Sequence, residues 1–142
     1  MAAASLEDWF AINSLFVRYA TALDACAVDD VVDCFTADAV LESPILGRFE
    51  GHAGIRAFAE RTAAQKREQG IQFRHVVSNL RADVDGDRAR ASCYLLDFLT
   101  RDGTTELLSP GEYTCDVVRQ GGQWRFAYRL VTMDRMFAIA DK

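Results

Sequence analysis

Two hydrophobic periods divide the chain near residue 70. Upstream, Trp9, Ile12, Asn13, Phe16, Ala20 and Leu23 recur at helical spacing, the pattern of an amphipathic helix of about five turns. Ser5, with an acid three residues on at Asp8, reads as its N-cap. A second, short helix is predicted from Asp29 to Phe35, with Val31, Val32 and Phe35 inward and three acids suited to its dipole. Ala39–Ser43 reads as a short strand closed by Pro44, and Arg48–Glu50 as its hairpin partner. Gly51 opens a third helix that carries Ile55, Phe58, Ala59 and Thr62 inward, with Gly70 as its stop.

After Gly70 the period becomes two. Four long strands are predicted, at about 71–84, 87–101, 104–119 and 122–136. Asp85-Gly86, Asp102-Gly103 and Gly121-Gly122 separate them; tight hairpin turns need positive φ, and these pairs supply it. Consecutive hairpins make an antiparallel meander. Pro110-Gly111 implies a bulge or bend in the third of these strands. Helices first and sheet afterwards imply an α+β layer fold. Strands this long twist and curl, so the expected architecture is a cone-shaped, curved antiparallel sheet packed on three N-terminal helices around an apolar pocket. No linker or repeat breaks the pattern, and the chain reads as a single domain, 1–142.

Composition narrows the function. The 142 residues are 50% hydrophobic, with a net charge of −5. An acidic surface disfavours nucleic acid and anionic membranes as partners. No apolar run reaches the roughly 18 residues that a membrane span needs, and the N-terminal stretch lacks the basic and apolar regions of a signal peptide. The expected location is the cytoplasm. Cys26, Cys34, Cys93 and Cys115 form no Cys-x-x-Cys pair and read as free thiols in a reducing cell. Two histidines without neighbouring acids or thiols form no metal motif. No Gly-rich phosphate loop precedes a helix. Neither a metal nor a cofactor is expected.

Parity on the first long strand places Ile71, Phe73, His75, Val77 and Asn79 on the more apolar face, which should look toward the helices. An imidazole there is either a satisfied core group or a base. Asp24 ends the long first helix, where the dipole disfavours a negative charge by about 0.3–1 kcal/mol. A compensating partner is therefore expected, and the imidazole N–H of His75 is the candidate. Joined, the two would make a dyad: Asp24 fixes the tautomer and stabilises the imidazolium, leaving the second nitrogen as a general base. Tyr19 lies off the strict helical face of Asp24 and is the candidate donor to a substrate oxygen. His52 is expected on the surface. Asp97 shares the parity of Ala91, Cys93 and Leu95 and reads as either a buried acid or an end-of-strand surface residue. The facing of Arg129, Asp134 and Arg135 depends on where the last strand bulges.

The order of elements resembles the SnoaL-like branch of the nuclear-transport-factor-2-like (cystatin-like) superfamily. The segments that carry the resemblance are Phe16-Val-Arg-Tyr-Ala-Thr-Ala-Leu-Asp24, Asp30-Val-Val-Asp-Cys-Phe-Thr-Ala-Asp38 and Phe49-Glu-Gly-His-Ala-Gly-Ile55. Arg74-His75-Val-Val-Ser-Asn79, Val84-Asp-Gly-Asp-Arg-Ala89 and Gly122-Gln-Trp-Arg-Phe126 complete them. Enzymes of that branch similar to scytalone dehydratase, bile-acid dehydratase and hexachlorocyclohexane dehydrochlorinase pair a helix-end Asp with a strand His. The resemblance implies that role for Asp24 and His75, and the tyrosine of the bile-acid enzyme for Tyr19. The second catalytic histidine of scytalone dehydratase has no clear counterpart, and the last-strand arginine of some relatives could be Arg129 or Arg135.

The expected activity is that of a cofactor-independent lyase or isomerase acting on a small hydrophobic molecule, cyclic or open-chain. Trp9, Phe16, Phe73, Val77, Asn79 and Arg129 are the expected substrate contacts. The alternative is a non-catalytic binding or oxygenase-associated assembly module of the same fold. Tyr94, Leu96 and Phe98 fall on the outer face of the second long strand, an apolar patch that implies a homodimer or homotrimer.

Overall fold

The computed structural model describes residues 1–135. Strand β1 (Ala2–Ala3) leads into helix α1 (Leu6–Asp24), then α2 (Val28–Asp33), β2 (Phe35–Ser43), β3 (Gly47–Glu50) and α3 (Gly51–Gln69). Four long strands follow: β4 (Ile71–Asp85), β5 (Arg88–Arg101), β6 (Thr104–Gln120) and β7 (Gln123–Met133). Position 136, expected to end the last strand, lies outside the described residues. No described helix is long and apolar enough to cross a membrane.

The local signals act as expected at the helix ends. Ser5 accepts the Asp8 N–H at 3.1 Å, which satisfies an otherwise orphaned donor of the first turn. Gly70 closes α3 in the left-handed region at φ 63°, where a Cβ would be strained.

One sheet holds every strand, in the order β1-β4-β5-β6-β7-β2-β3. Two of its features were not expected. Ala2 and Ala3 add an edge strand against Val84 and Asp83. Strand β2 runs parallel to β7, so it extends the meander instead of standing apart from it. The second helix is correspondingly shorter than expected. Phe35, assigned to that helix by its spacing, opens β2 and buries its ring against Phe126, with centroids 5.3 Å apart. Burial in the sheet outweighs the weak helical propensity of so short a segment.

Three bulges bend the long strands, and each resets which residues face inward. In β4, Asn79 and Leu80 interrupt the pairing with β5, and Asn79 adopts φ 57°, a conformation that Asn tolerates better than most residues. In β6 the extra residue is Leu108, just before Pro110-Gly111. In β7 it is Ala127. The curved sheet wraps α1 and α3, and Phe16, Tyr19, Phe35, Tyr113, Val117 and Phe126 form the closed end of the core. A separate small cluster of Ile71, Phe73, Leu99 and Leu108 packs the opposite end of the sheet. Cys34, Cys93 and Cys115 are buried, and Cys26 is partly so; all four are free thiols.

Candidate active site

Asp24 is the last residue of α1 and is 7% exposed. The helix stays intact through it; Ala25 caps the end and Cys26 turns the chain at φ 58°. Nothing basic lies in the last turn of α1, so compensation for a carboxylate at the negative end of the dipole comes from elsewhere. The main-chain carbonyl of Asp24 accepts Lys66 Nζ at 2.8 Å and Gln72 Nε2 at 3.1 Å. Its carboxylate is held by one residue. Oδ2 accepts the His75 main-chain N–H at 2.9 Å, and Oδ1 lies 2.5 Å from His75 Nδ1. This two-point grip fixes the imidazole plane and places the proton on Nδ1, which leaves the Nε2 lone pair free.

Nε2 makes no hydrogen bond among the described residues. Asp97 Oδ1 lies 3.6 Å from it, beyond hydrogen-bond distance, and that oxygen is buried without a partner. His75 therefore stands between two carboxyl groups, each side chain about nine-tenths buried. Burial pulls the imidazole pKa down, but the charge of Asp97 and the hydrogen bond and charge of Asp24 outweigh it, and the net shift is upward. Burial pushes the Asp97 carboxyl up; the His75 charge opposes this and the Asp24 charge adds to it. Of the two sequence readings of Asp97, the structure selects the buried acid. Its parity with Ala91, Cys93 and Leu95 carried that signal.

His75 and Asp97 border a small cavity of ≈ 70 Å³. His75, Asp97, Tyr19 and Tyr113 supply polar atoms among walls of Leu23, Leu41, Phe58, Phe73, Leu95 and Val131. Ile45 and Leu46, in the β2–β3 turn, and Thr62 and Gln65 of α3 also line it. Gly111 is required behind it. A Cβ there would meet the Thr132 carbonyl at 2.4 Å and Met133 Sδ at 2.9 Å.

Tyr19 reaches the cavity from the unbroken helix α1, although it lies off the strict face of Asp24. Its ring packs edge-on against Phe35, Tyr113 and Phe126. Tyr113, absent from the sequence reading, shares inward parity on β6 with Gly111, Cys115 and Val117, and that alternation was legible.

Of the expected substrate contacts, only Phe73 lines the cavity. Trp9 sits near the far end of α1, where its indole N–H donates to the Leu80 carbonyl at 3.1 Å. Phe16 is fully buried against Phe126, ring edge to ring face. Val77 packs partly buried on the main core, outside the cavity wall. Asn79 is exposed, because the bulge breaks the parity that would have turned it inward. Arg129 is wholly buried behind the tyrosines and outside the lining. The Ala127 bulge turns it inward in place of Tyr128. Asp134 and Arg135 are exposed. His52 is exposed too, although its Nε2 lies 2.8 Å from the Phe35 carbonyl. Among the described residues no cluster of three metal-ligating side chains occurs.

Known proteins place this fold. The structure of a variant of Rv3472, a protein of unknown function from Mycobacterium tuberculosis, is 29% identical, with a TM-score of 0.81 over 92% of this chain and 75% of that one. An NTF2-like protein with a cystatin-like fold from Novosphingobium aromaticivorans is 22% identical, with a TM-score of 0.81 over 96% and 88%. A candidate scytalone dehydratase from the same organism is 21% identical, with a TM-score of 0.80 over 92% and 86%. At those last identities the likeness is one of fold. The family model described as a SnoaL-like domain matches residues 4–130, nearly the whole of the helices and sheet described above, and the chain accordingly belongs to the SnoaL-like domain family, with an NTF2-like, cystatin-like fold.

Proposed function

We propose that the cavity performs acid–base elimination or double-bond isomerisation on a small hydrophobic molecule. The observation that carries this reading is the position of His75. Its Nδ1 is bound to Asp24, and its Nε2 has no hydrogen-bond partner among the described residues and stands beside Asp97 on the wall of an apolar hollow. Nε2 takes a proton from carbon, and Asp24 stabilises the imidazolium that forms. The electron pair of the broken C–H bond becomes the new double bond. In an elimination the carbon–leaving-group bond breaks with its electron pair, and the group departs as halide, or as water with the proton that His75 Nε2 has taken up. In an isomerisation the proton returns to a different carbon. The scheme balances with no added oxidant or reductant. A fold shared with a candidate scytalone dehydratase is compatible with it, but fold alone does not choose among reactions.

The direct test is exchange of acidic C–H protons into deuterated water. Cyclic ketones and their β-hydroxy or β-halo derivatives serve as the panel, followed by NMR. Wild-type protein should promote exchange or elimination, and His75→Gln should abolish it with the fold intact. Catalysis by His75→Gln at the wild-type rate would end this reading.

We also infer self-association through the outer sheet face. Val76 pairs across strands with Leu96, and Phe98 with Leu107. Val76, Tyr94 and Leu107 are each more than 40% exposed. A second copy of the chain is the occupant we assign to this patch, because a symmetric dimer covers the same surface on both partners.

A further inference from the structure

Asp24 is held from one short stretch of chain, residues 66–75. Lys66 Nζ and Gln72 Nε2 meet its main-chain carbonyl at 2.8 and 3.1 Å, while the His75 main-chain N–H and ring Nδ1 meet its carboxylate at 2.9 and 2.5 Å. That stretch joins α3 to β4. Lys66 lies in the last turn of α3, where its own carbonyl accepts the N–H of the closing Gly70, and β4 begins at Ile71. The turn at Gly70 thus aims a cation, an amide and an imidazole at one residue of another helix.

The preceding carbonyls at the end of α1 are satisfied by main chain. Thr21 accepts the Ala25 N–H at 3.0 Å, Ala22 that of Ala27 at 2.9 Å and Leu23 that of Cys26 at 3.2 Å. Among the described residues the Asp24 carbonyl is met by side chains alone. A last-turn carbonyl needs a partner, and the negative end of a helix favours a cation beside it. No basic residue in the last turn of α1 supplies one; Lys66 does so from α3. Gln72 adds a neutral donor, and its Nε2 also donates to the Phe73 carbonyl at 2.8 Å. Neither Lys66 nor Gln72 lines the cavity, so neither is a catalytic residue.

We infer that Lys66 is a positioning residue for the Asp24–His75 pair: by holding the Asp24 carbonyl it fixes the last residue of α1, and with it the direction of the carboxylate that orients the imidazole. The inference rests on the reading of His75 as the base and deepens it. With the carbonyl released, the peptide plane after Asp24 can rotate, and Oδ1 moves off Nδ1. An imidazole without that partner can turn and exchange its tautomer, so that Nε2 no longer offers its lone pair in every molecule. A lysine that merely fastened α3 to α1 would stabilise the whole fold and have no particular effect at the ring.

The proton on His75 Nδ1 reports the difference without substrate or turnover. The chain has two histidines, so proton NMR of the wild-type and His52→Gln proteins assigns it. In wild-type protein it should resonate far downfield and exchange slowly with water, as befits a short, charge-assisted bond. Lys66→Met should speed that exchange by about tenfold, the loss of one hydrogen bond from the group that holds the acceptor in place. The Phe126 main-chain N–H, bonded to the Cys34 carbonyl at 2.8 Å in the core, should be accelerated far less. Lys66→Arg, which keeps a cation and donors at the carbonyl, should restore slow exchange. If the methionine variant does not fold, Lys66→Gln, shorter and uncharged, takes its place with the same expectation. No slowly exchanging ring proton in wild-type protein, unchanged exchange without the lysine, equal acceleration at the ring and at Phe126, or an arginine variant as fast as the methionine one would each overturn the inference. Given a substrate that turns over, Lys66→Met should lower kcat and leave KM near the wild-type value. The base reading fails separately: wild-type catalysis by His75→Gln would end it and leave the exchange result standing.

Discussion

Asp24 grips His75 twice, once through the ring nitrogen at 2.5 Å and once through the main-chain N–H at 2.9 Å. Removing the carboxylate therefore affects stability as well as chemistry. Asp24→Ala leaves two buried donors unpaired and should cost about 1–3 kcal/mol for each one water cannot reach. Urea unfolding measures this. Asp24→Asn can still accept one of the two donors and should fold better, while losing control of the tautomer.

His75→Gln should lower any proton-transfer rate by about 10²–10⁴-fold. The amide cannot take up a proton, but it can still hydrogen-bond to Asp24, so circular dichroism and the urea midpoint should change little. The test is the rate per folded molecule.

The flanking carboxyls set the pH profile. The His75 pKa is raised, so the rate should fall as pH drops through a value above the ordinary 6.5, where the base is already protonated. Asp97→Asn removes one source of that rise and should move this limb to lower pH. Stability has the opposite sense. Because the folded state holds the His75 proton more tightly than the unfolded chain, that contribution is complete below 6.5 and is lost as pH rises through the folded value. Asp97, also raised, loses its contribution in the same direction from a lower start. Urea midpoints at pH 6 and pH 9 should therefore decline with pH at these two sites, and the decline should shrink in a His75→Gln, Asp97→Asn double variant.

Asn79 is a bulge residue on the exposed side. Asn79→Gly should be tolerated or mildly stabilising. Asn79→Val should destabilise by about 1–2 kcal/mol, since a β-branched residue resists positive φ. Neither change should alter affinity for a pocket ligand, which calorimetry can check.

Tyr94→Glu places a charge on the apolar outer face, where Tyr94 is 57% exposed. The change should shift the sedimentation profile from dimer toward monomer and leave the monomer fold intact. A wild-type protein that is monomeric at every concentration would remove the self-association proposal.

Much of this architecture was legible in the sequence because its punctuation is local. Asp85-Gly86, Asp102-Gly103 and Gly121-Gly122 announce three turns, and Ser5 and Gly70 mark helix ends. Asp24 was marked as needing a partner by electrostatics alone. What was hidden depends on long-range pairing. The parallel match of β2 with β7, the edge strand at Ala2–Ala3 and the strand role of Phe35 are decided by neighbours distant in sequence. The site suffered from the same blindness. Strict alternation turned Asn79 inward, yet the Asn79–Leu80 bulge turns it out. Trp9, Phe16 and Val77 were placed by apolar character, which marks a core residue and a pocket residue equally. Asp97 and Tyr113 carried readable inward parity, but no sequence signal said that they border a hollow.

The single extra residue at Ala127 has a consequence beyond geometry. Register in a pleated strand is a counting rule, and this one bulge determines whether a guanidinium or a phenol enters the interior at the next step. A one-residue insertion beside that bulge would move Arg129 to the outer face and bring Tyr128 in, removing the buried charge, and it would turn Val131 and Met133 out of the cavity lining as well. Insertions and deletions in the last strand are thus a route by which relatives of equal shape could acquire different chemistries.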